Sequence, residues 1–143
     1  MRFMMLVIPK GYESAPADAV KALDPKRMEQ MMKYNESLQK AGVLLALDGL
    51  HPPSMGARVS FAGNKPKVTD GPFAEAKEVL GGYWMIQVKS REEAIEWAKR
   101  APMSDEEIIE VRRVQEMEDY SAEGQEAAKK FPEIKQKAAK SRK

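Results

Sequence analysis

The chain contains no cysteine. That excludes a disulfide framework, a cysteine nucleophile and thiolate metal ligation, and it fits a reducing cytoplasm. Histidine is nearly as scarce, with His51 the only one among 143 residues. His51 is therefore the single side chain whose ordinary pKa lies near neutrality. One imidazole without thiolates makes a poor transition-metal site, and no acidic triplet has calcium-loop spacing, so neither metal nor cofactor is expected. Long hydrophobic runs are also missing. Phe3 to Pro9 and Val43 to Leu47 are too short to cross a bilayer. Arg2 precedes a strand-length stretch with no small-residue cleavage site, so no signal peptide is expected.

An excess of one charge is lacking too. Lys and Arg number 24 against 22 Asp and Glu, a net of +2, which gives little pull toward nucleic acid or acidic membranes. With no helix-turn-helix signal, direct nucleic-acid binding is argued against. Gly81-Gly82 lacks the Lys-Ser/Thr and helix of a phosphate loop, and no serine-nucleophile elbow occurs.

What is present suits one domain with one core: 43% of residues are hydrophobic and 32% charged. Charge is uneven, since residues 119–143 hold seven Lys/Arg against four Asp/Glu, and Lys135 to Lys143 hold five bases and no acid. This segment is read as a polar, basic, helical extension of two short pieces beyond a domain at 1–118.

Met1 to Ile8 reads as a strand covered on both faces. Asp24-Pro25 starts a helix with Asp at N-cap and Pro at N1, and Gly42 stops it at C′. Its expected buried stripe is Met28, Met31, Met32, Asn35, Leu38 and Ala41. Val43 to Leu47 is a second strand. Ala57 to Ala62 is a third, with Arg58 and Ser60 on one face and Val59 and Phe61 on the other, and it pairs back with Lys67 to Thr69. Phe73 to Leu80 suggests a single helical turn. Gly81 to Lys89 is an aromatic and β-branched strand. Ser90-Arg91-Glu92-Glu93 is a capping box opening a helix that ends before Pro102, and Ile108 to Val114 is a closing strand, with a helical turn at Ser104 to Glu107 as a competitor. The order β-α-β-β-(β)-α-β is the ferredoxin-like split-βαβ pattern of an α+β fold with an antiparallel sheet. Two helices cover one sheet face, and the other requires a cover.

The most informative run is Val68-Thr69-Asp70-Gly71-Pro72-Phe73-Ala74-Glu75-Ala76-Lys77-Glu78-Val79-Leu80-Gly81-Gly82-Tyr83-Trp84. Gly71 tolerates positive φ, Pro72 fixes φ, and the Asp70 carboxylate can bond backbone donors in the turn. This run resembles the DGPF family within the YCII-related group. Tyr34-Asn35-Glu36, Ala41 to Leu44, Leu50 to Pro53, Ser90 to Pro102 and Ile109 to Arg112 match in order, so the resemblance covers about residues 1 to 118. It implies a dimeric α+β barrel, a homodimer whose two sheets pack face to face.

Some YCII-related enzymes use a His–Asp pair, and lyase-like members imply acid–base chemistry on a small-molecule ligand. The aspartate of that pattern transfers onto Asp70. The histidine does not transfer, because the start of the first helix reads Pro25-Lys26-Arg27-Met28. His51 substitutes only if the fold brings it to the Asp70 turn. Asp70 and His51 are thus the candidate catalytic pair. Arg58, with its fork of donors, is a candidate anchor for an anionic ligand or for Asp70 itself. Phe73, Lys77 and Glu36 complete the candidate binding residues. The competing reading is a non-catalytic ligand-binding or transcription-associated module, because DGPF domains in some bacteria occur with sigma-factor-like proteins.

Overall fold

The computed structural model describes residues 1–134. The basic run at 135–143, and with it the rest of the expected second helical piece, lies outside the described residues.

Strands β1 (Arg2–Ile8), β2 (Leu44–Gly49), β5 (Gly82–Gln87) and β6 (Ile108–Arg113) form one sheet in the order β2-β5-β1-β6. Every neighbouring pair is antiparallel. β1 and β2 thus run parallel with β5 between them, which is the split βαβ of a ferredoxin-like α+β fold. Strands β3 (Ala57–Ala62) and β4 (Lys65–Asp70) pair only with each other. Gly63 and Asn64 join them, both at positive φ, as a two-residue type I′ connection requires.

Helices α1 (Pro25–Lys40) and α2 (Arg91–Lys99) pack on one sheet face. α1 starts where the Asp24 carboxylate accepts from Lys26 N at 3.0 Å. It stops in a Schellman turn: Gly42, at φ 73°, donates to Gln39 O, and Val43 donates to Leu38 O. α2 starts where Ser90 Oγ accepts from Glu93 N at 3.1 Å. The reciprocal Glu93 carboxylate bond reaches Lys89 N, one residue further back than the standard capping box.

Strand alternation places Phe3, Met5, Trp84 and Ile86 on the helix-facing side, where they form the core with Tyr34, Leu38, Val43, Val88 and Ala94. The buried stripe of α1 is Tyr34, Asn35 and Leu38 with Met31 half-buried. Met28 and Met32, expected inside, are 46% and 57% exposed. Met32 falls outside the arc that Tyr34, Asn35 and Leu38 bury, whereas Met28, seven residues before Asn35 and on its side of the helix, is exposed in the first turn of α1. Tyr34 is the anchor of the buried arc. Its ring meets Trp84 edge-on at 5.2 Å and its hydroxyl donates to Trp97 O at 2.6 Å, locking α1 to β5 and α2. The segment from Phe73 to Leu80 forms one turn at Ala74 and Glu75, closed by Ala76 N donating to Phe73 O, and is otherwise irregular, in place of the expected helical turn. Beyond β6, Glu116 holds the nearly buried Arg2 guanidinium through two bonds, at 2.7 and 2.9 Å. Helix α3 (Ala122–Lys129), capped by Ser121 Oγ, follows.

Burial pushes the Tyr34 phenol up to about 12. A tyrosine whose folded pKa exceeds its unfolded value of about 10 adds stability below that value and loses it as pH rises through the folded pKa. Unfolding free energy should therefore fall between about pH 10 and pH 12. Tyr34→Phe should flatten that fall, leaving the smaller contributions of Tyr12 and Tyr83, whose pKa values are also raised. Denaturant titrations across this range measure the difference.

Candidate functional site

The Asp-Gly-Pro turn ends β4 and folds back against the loop after β2. Gly71 N donates to Gly56 O at 2.9 Å. A Cβ on Gly71 would lie 1.8 Å from Pro53 O, a backbone atom that cannot swing away. Glycine is required there by the close approach of two segments of the chain. Asp70 itself is exposed, and its carboxylate has no hydrogen bond or ion pair among the described residues.

Hairpin register explains where the charged candidates go. Ala57 pairs with Asp70, and Arg58 pairs with Thr69. Successive side chains alternate between faces, so Arg58 and Asp70 leave the hairpin on opposite sides. The expected Arg58–Asp70 approach therefore does not occur. Arg58 instead lays its guanidinium over the Phe73 ring, 4.1 Å from the ring centre, a cation–π contact.

That contact forms one wall of a cleft of about 380 Å³. His51, Pro52, Arg58, Phe73, Glu78 and Val79 are among its lining residues. Pro52 and Val79 are buried and give it an apolar floor, while His51, Arg58 and Glu78 are exposed at the rim. The structure thus brings together His51, Arg58 and Phe73. It leaves Asp70 on the far face of the hairpin. Lys77 is exposed beyond the turn and does not line this cleft. Glu36 sits on the outer face of α1, paired with Lys40 at 3.0 Å, and lines a different groove beside Met32 and Leu47.

A second, smaller cleft of about 160 Å³ lies between α1 and the β2–β5 edge, lined by Met31, Asn35, Leu47, Gly82 and Trp84 among others. Its polar centre is Asn35, only 9% exposed, whose Oδ1 accepts from Trp84 Nε1 at 2.7 Å. Sequence reasoning placed Asn35 in the buried stripe without a role. The available signal was an amide inside an apolar stripe, which must find a partner when buried. On the opposite sheet face, Asp48 accepts from the Tyr83 hydroxyl at 2.6 Å, and this bond holds the phenol above its usual pKa.

No group of three or more His, Asp or Glu among the described residues is placed to hold a metal ion. No helix among them is long and apolar enough to cross a membrane.

With this geometry in view, comparison with known proteins is decisive about kinship. Residues 1–118 match the model of the YCII-related domain. The chain belongs to the YCII-related family. The match ends just after β6, so α3 lies beyond it. An uncharacterized protein of Rhizobium meliloti is 31% identical over 87 residues, spanning 61% of this chain and 70% of that one. The YCII-related domain here keeps the aspartate turn of the resemblance but orients Asp70 away from His51's cleft.

These placements separate the two roles of the turn. Asp70→Asn and Asp70→Ala should each change stability by no more than about 0.5 kcal/mol, as at other exposed sites. Gly71→Ala should destabilise by about 1–3 kcal/mol, because the added methyl overlaps Pro53 O. Thermal unfolding of the three variants checks the contrast.

Proposed function

We propose that this YCII-related protein binds a small anionic molecule with a flat apolar body in the His51–Arg58–Phe73 cleft. The observation that carries this reading is the convergence of those three side chains on one cavity. Its volume of about 380 Å³ falls within the range of small-molecule sites. Arg58 offers a fork of N–H donors suited to a carboxylate, and Phe73 beneath it limits its rotamers. Pro52 and Val79 suit the apolar body. His51 stands at the same rim and supplies an imidazole as the proton-transfer group. In this reading any lyase- or isomerase-like proton transfer falls to His51, and Asp70 has no part in it.

The protein acts as a homodimer in the same proposal. Met4, Leu6, Ile8 and Met85 lie on the sheet face turned away from the core side chains. The hairpin adds an apolar face of Val59, Phe61 and Val68, with Phe61 76% and Val68 65% exposed. Apolar surface gathered in this way marks an interaction site, and a second copy is the cover that the family resemblance implies.

Benzoate is a suitable probe, because its carboxylate matches Arg58 and its ring matches Phe73. Since His51 is the only histidine, its ring resonances are unambiguous in a proton NMR spectrum. Benzoate should shift them saturably, and Arg58→Met should abolish the shift. Absence of a saturable shift overturns the binding site. Sedimentation should give about twice the chain mass of 16.1 kDa, whereas a folded monomer at micromolar concentration overturns the dimer.

A further inference from the structure

We infer that the smaller cleft under α1 is a binding site for a small neutral molecule carrying a hydrogen-bond acceptor, such as a cyclic ketone. This inference stands independently of the His51–Arg58 reading.

The cleft exists because two side chains are missing from the helix-facing side of the sheet. Gly49 pairs with Gly82, next to the pair Leu47 and Trp84. Because side chains on one face recur every second residue, Gly49 and Gly82 occupy the same face as Leu47 and Trp84. At Gly49, where a side chain on this face would stand, there is open space. Gly82 has no alternative residue, since a Cβ there would lie 2.8 Å from Asp48 O. Gly49 is different. A Cβ there meets no atom within 4 Å, and its φ lies outside the left-handed range.

The lining determines the chemistry of the occupant. Val7, Met31, Leu47 and Trp84 present apolar surface. Asp48 and Tyr83 also border the cleft, but their side chains bond to each other from the opposite sheet face. An ion entering would find no counter-charge on the helix side, so the ligand is neutral. Backbone groups nearby are already used: Gly81 N donates to Val7 O, and Gly81 O accepts from Leu50 N.

Asn35 is the exception. Trp84 Nε1–H is a donor only, so the amide atom facing it must be the oxygen, and the orientation of the amide is fixed. That leaves two N–H donors on Nδ2. Among the described residues their single partner is Met32 Sδ at 3.6 Å, a weak acceptor. Asn35, nine-tenths buried, stands between this apolar cleft and the groove beside Met32, and retains donor capacity beyond that weak bond. A carbonyl oxygen completes it. The space of about 160 Å³ equals roughly five waters at liquid density, which suits a ring of five or six atoms.

Cyclopentanone tests the site with two-dimensional proton–nitrogen NMR of the full chain. The two tryptophans, Trp84 and Trp97, give two indole signals, assigned with Trp97→Phe. Titration should move the Trp84 indole signal and an Asn35 side-chain amide signal together and saturably. Gly49→Val, which extends into the empty space, should abolish both movements while leaving the Trp84 signal of the free protein in place. If that variant does not fold, Met31→Phe fills the cleft from the helix side with the same expected loss. Arg58→Met should leave the response intact, which separates this site from the benzoate cleft. The site is overturned if nothing saturates up to the solubility of the probe, or if a folded cavity-filling variant responds unchanged. If Trp84 moves while the Asn35 amide does not, the acceptor requirement is overturned.

Discussion

The hydrogen bond from Trp84 to Asn35 governs the spacing between the first helix and the sheet. Both groups are buried, and a buried indole N–H without an acceptor carries a desolvation cost of about 1–3 kcal/mol. The bond therefore sets the rotation of α1 about its axis. Once Asn35 faces β5, Tyr34 and Leu38 enter the core beside it and Met32 turns outward. Tyr34 then extends the constraint to α2 through Trp97 O. A single polar contact thus fixes the placement of both helices on the sheet.

Close backbone approaches do comparable work at the margins. Gly71 and Gly82 lie where another chain segment leaves no room for a Cβ. Near Gly71 the approach brings the start of β3 and the loop carrying His51 alongside the turn, and the His51–Arg58–Phe73 cleft opens beside it. Near Gly82 the paired strands border the hollow beneath α1. The two clefts meet the chain at adjacent positions, one using Leu50 and Leu80, the other Gly49 and Gly81. Both sit where β2 leaves the sheet and β5 enters it.

Much of this architecture is legible in the residues because local chemistry is strong. Asp24-Pro25, Gly42 and Ser90 with Glu93 mark helix ends through bonds that any chain would form there. The alternation in β3 correctly separates Arg58 from Val59 and Phe61. The methionine stripe misled because Met32 keeps the same three- and four-residue spacing as the buried Asn35 and its neighbours. Only partners distant in sequence, Trp84 and Trp97, distinguish them. For the same reason Asp70 looks like a partner for Arg58 in sequence. Pairing register, a property of two strands together, sends them apart. His51 could be singled out by scarcity alone, whereas its neighbours Phe73 and Val79 become neighbours only through the turn at Gly71.

The β3–β4 hairpin has a further consequence for motion. Its ladder is closed by a two-residue turn, and all twelve of its strand residues are exposed. Such a unit opens with its own free energy, well below that of the sheet core. Arg58 is carried on this unit, while His51 is carried on the loop after β2. The cleft between them therefore joins a softer cooperative unit to a stiffer one.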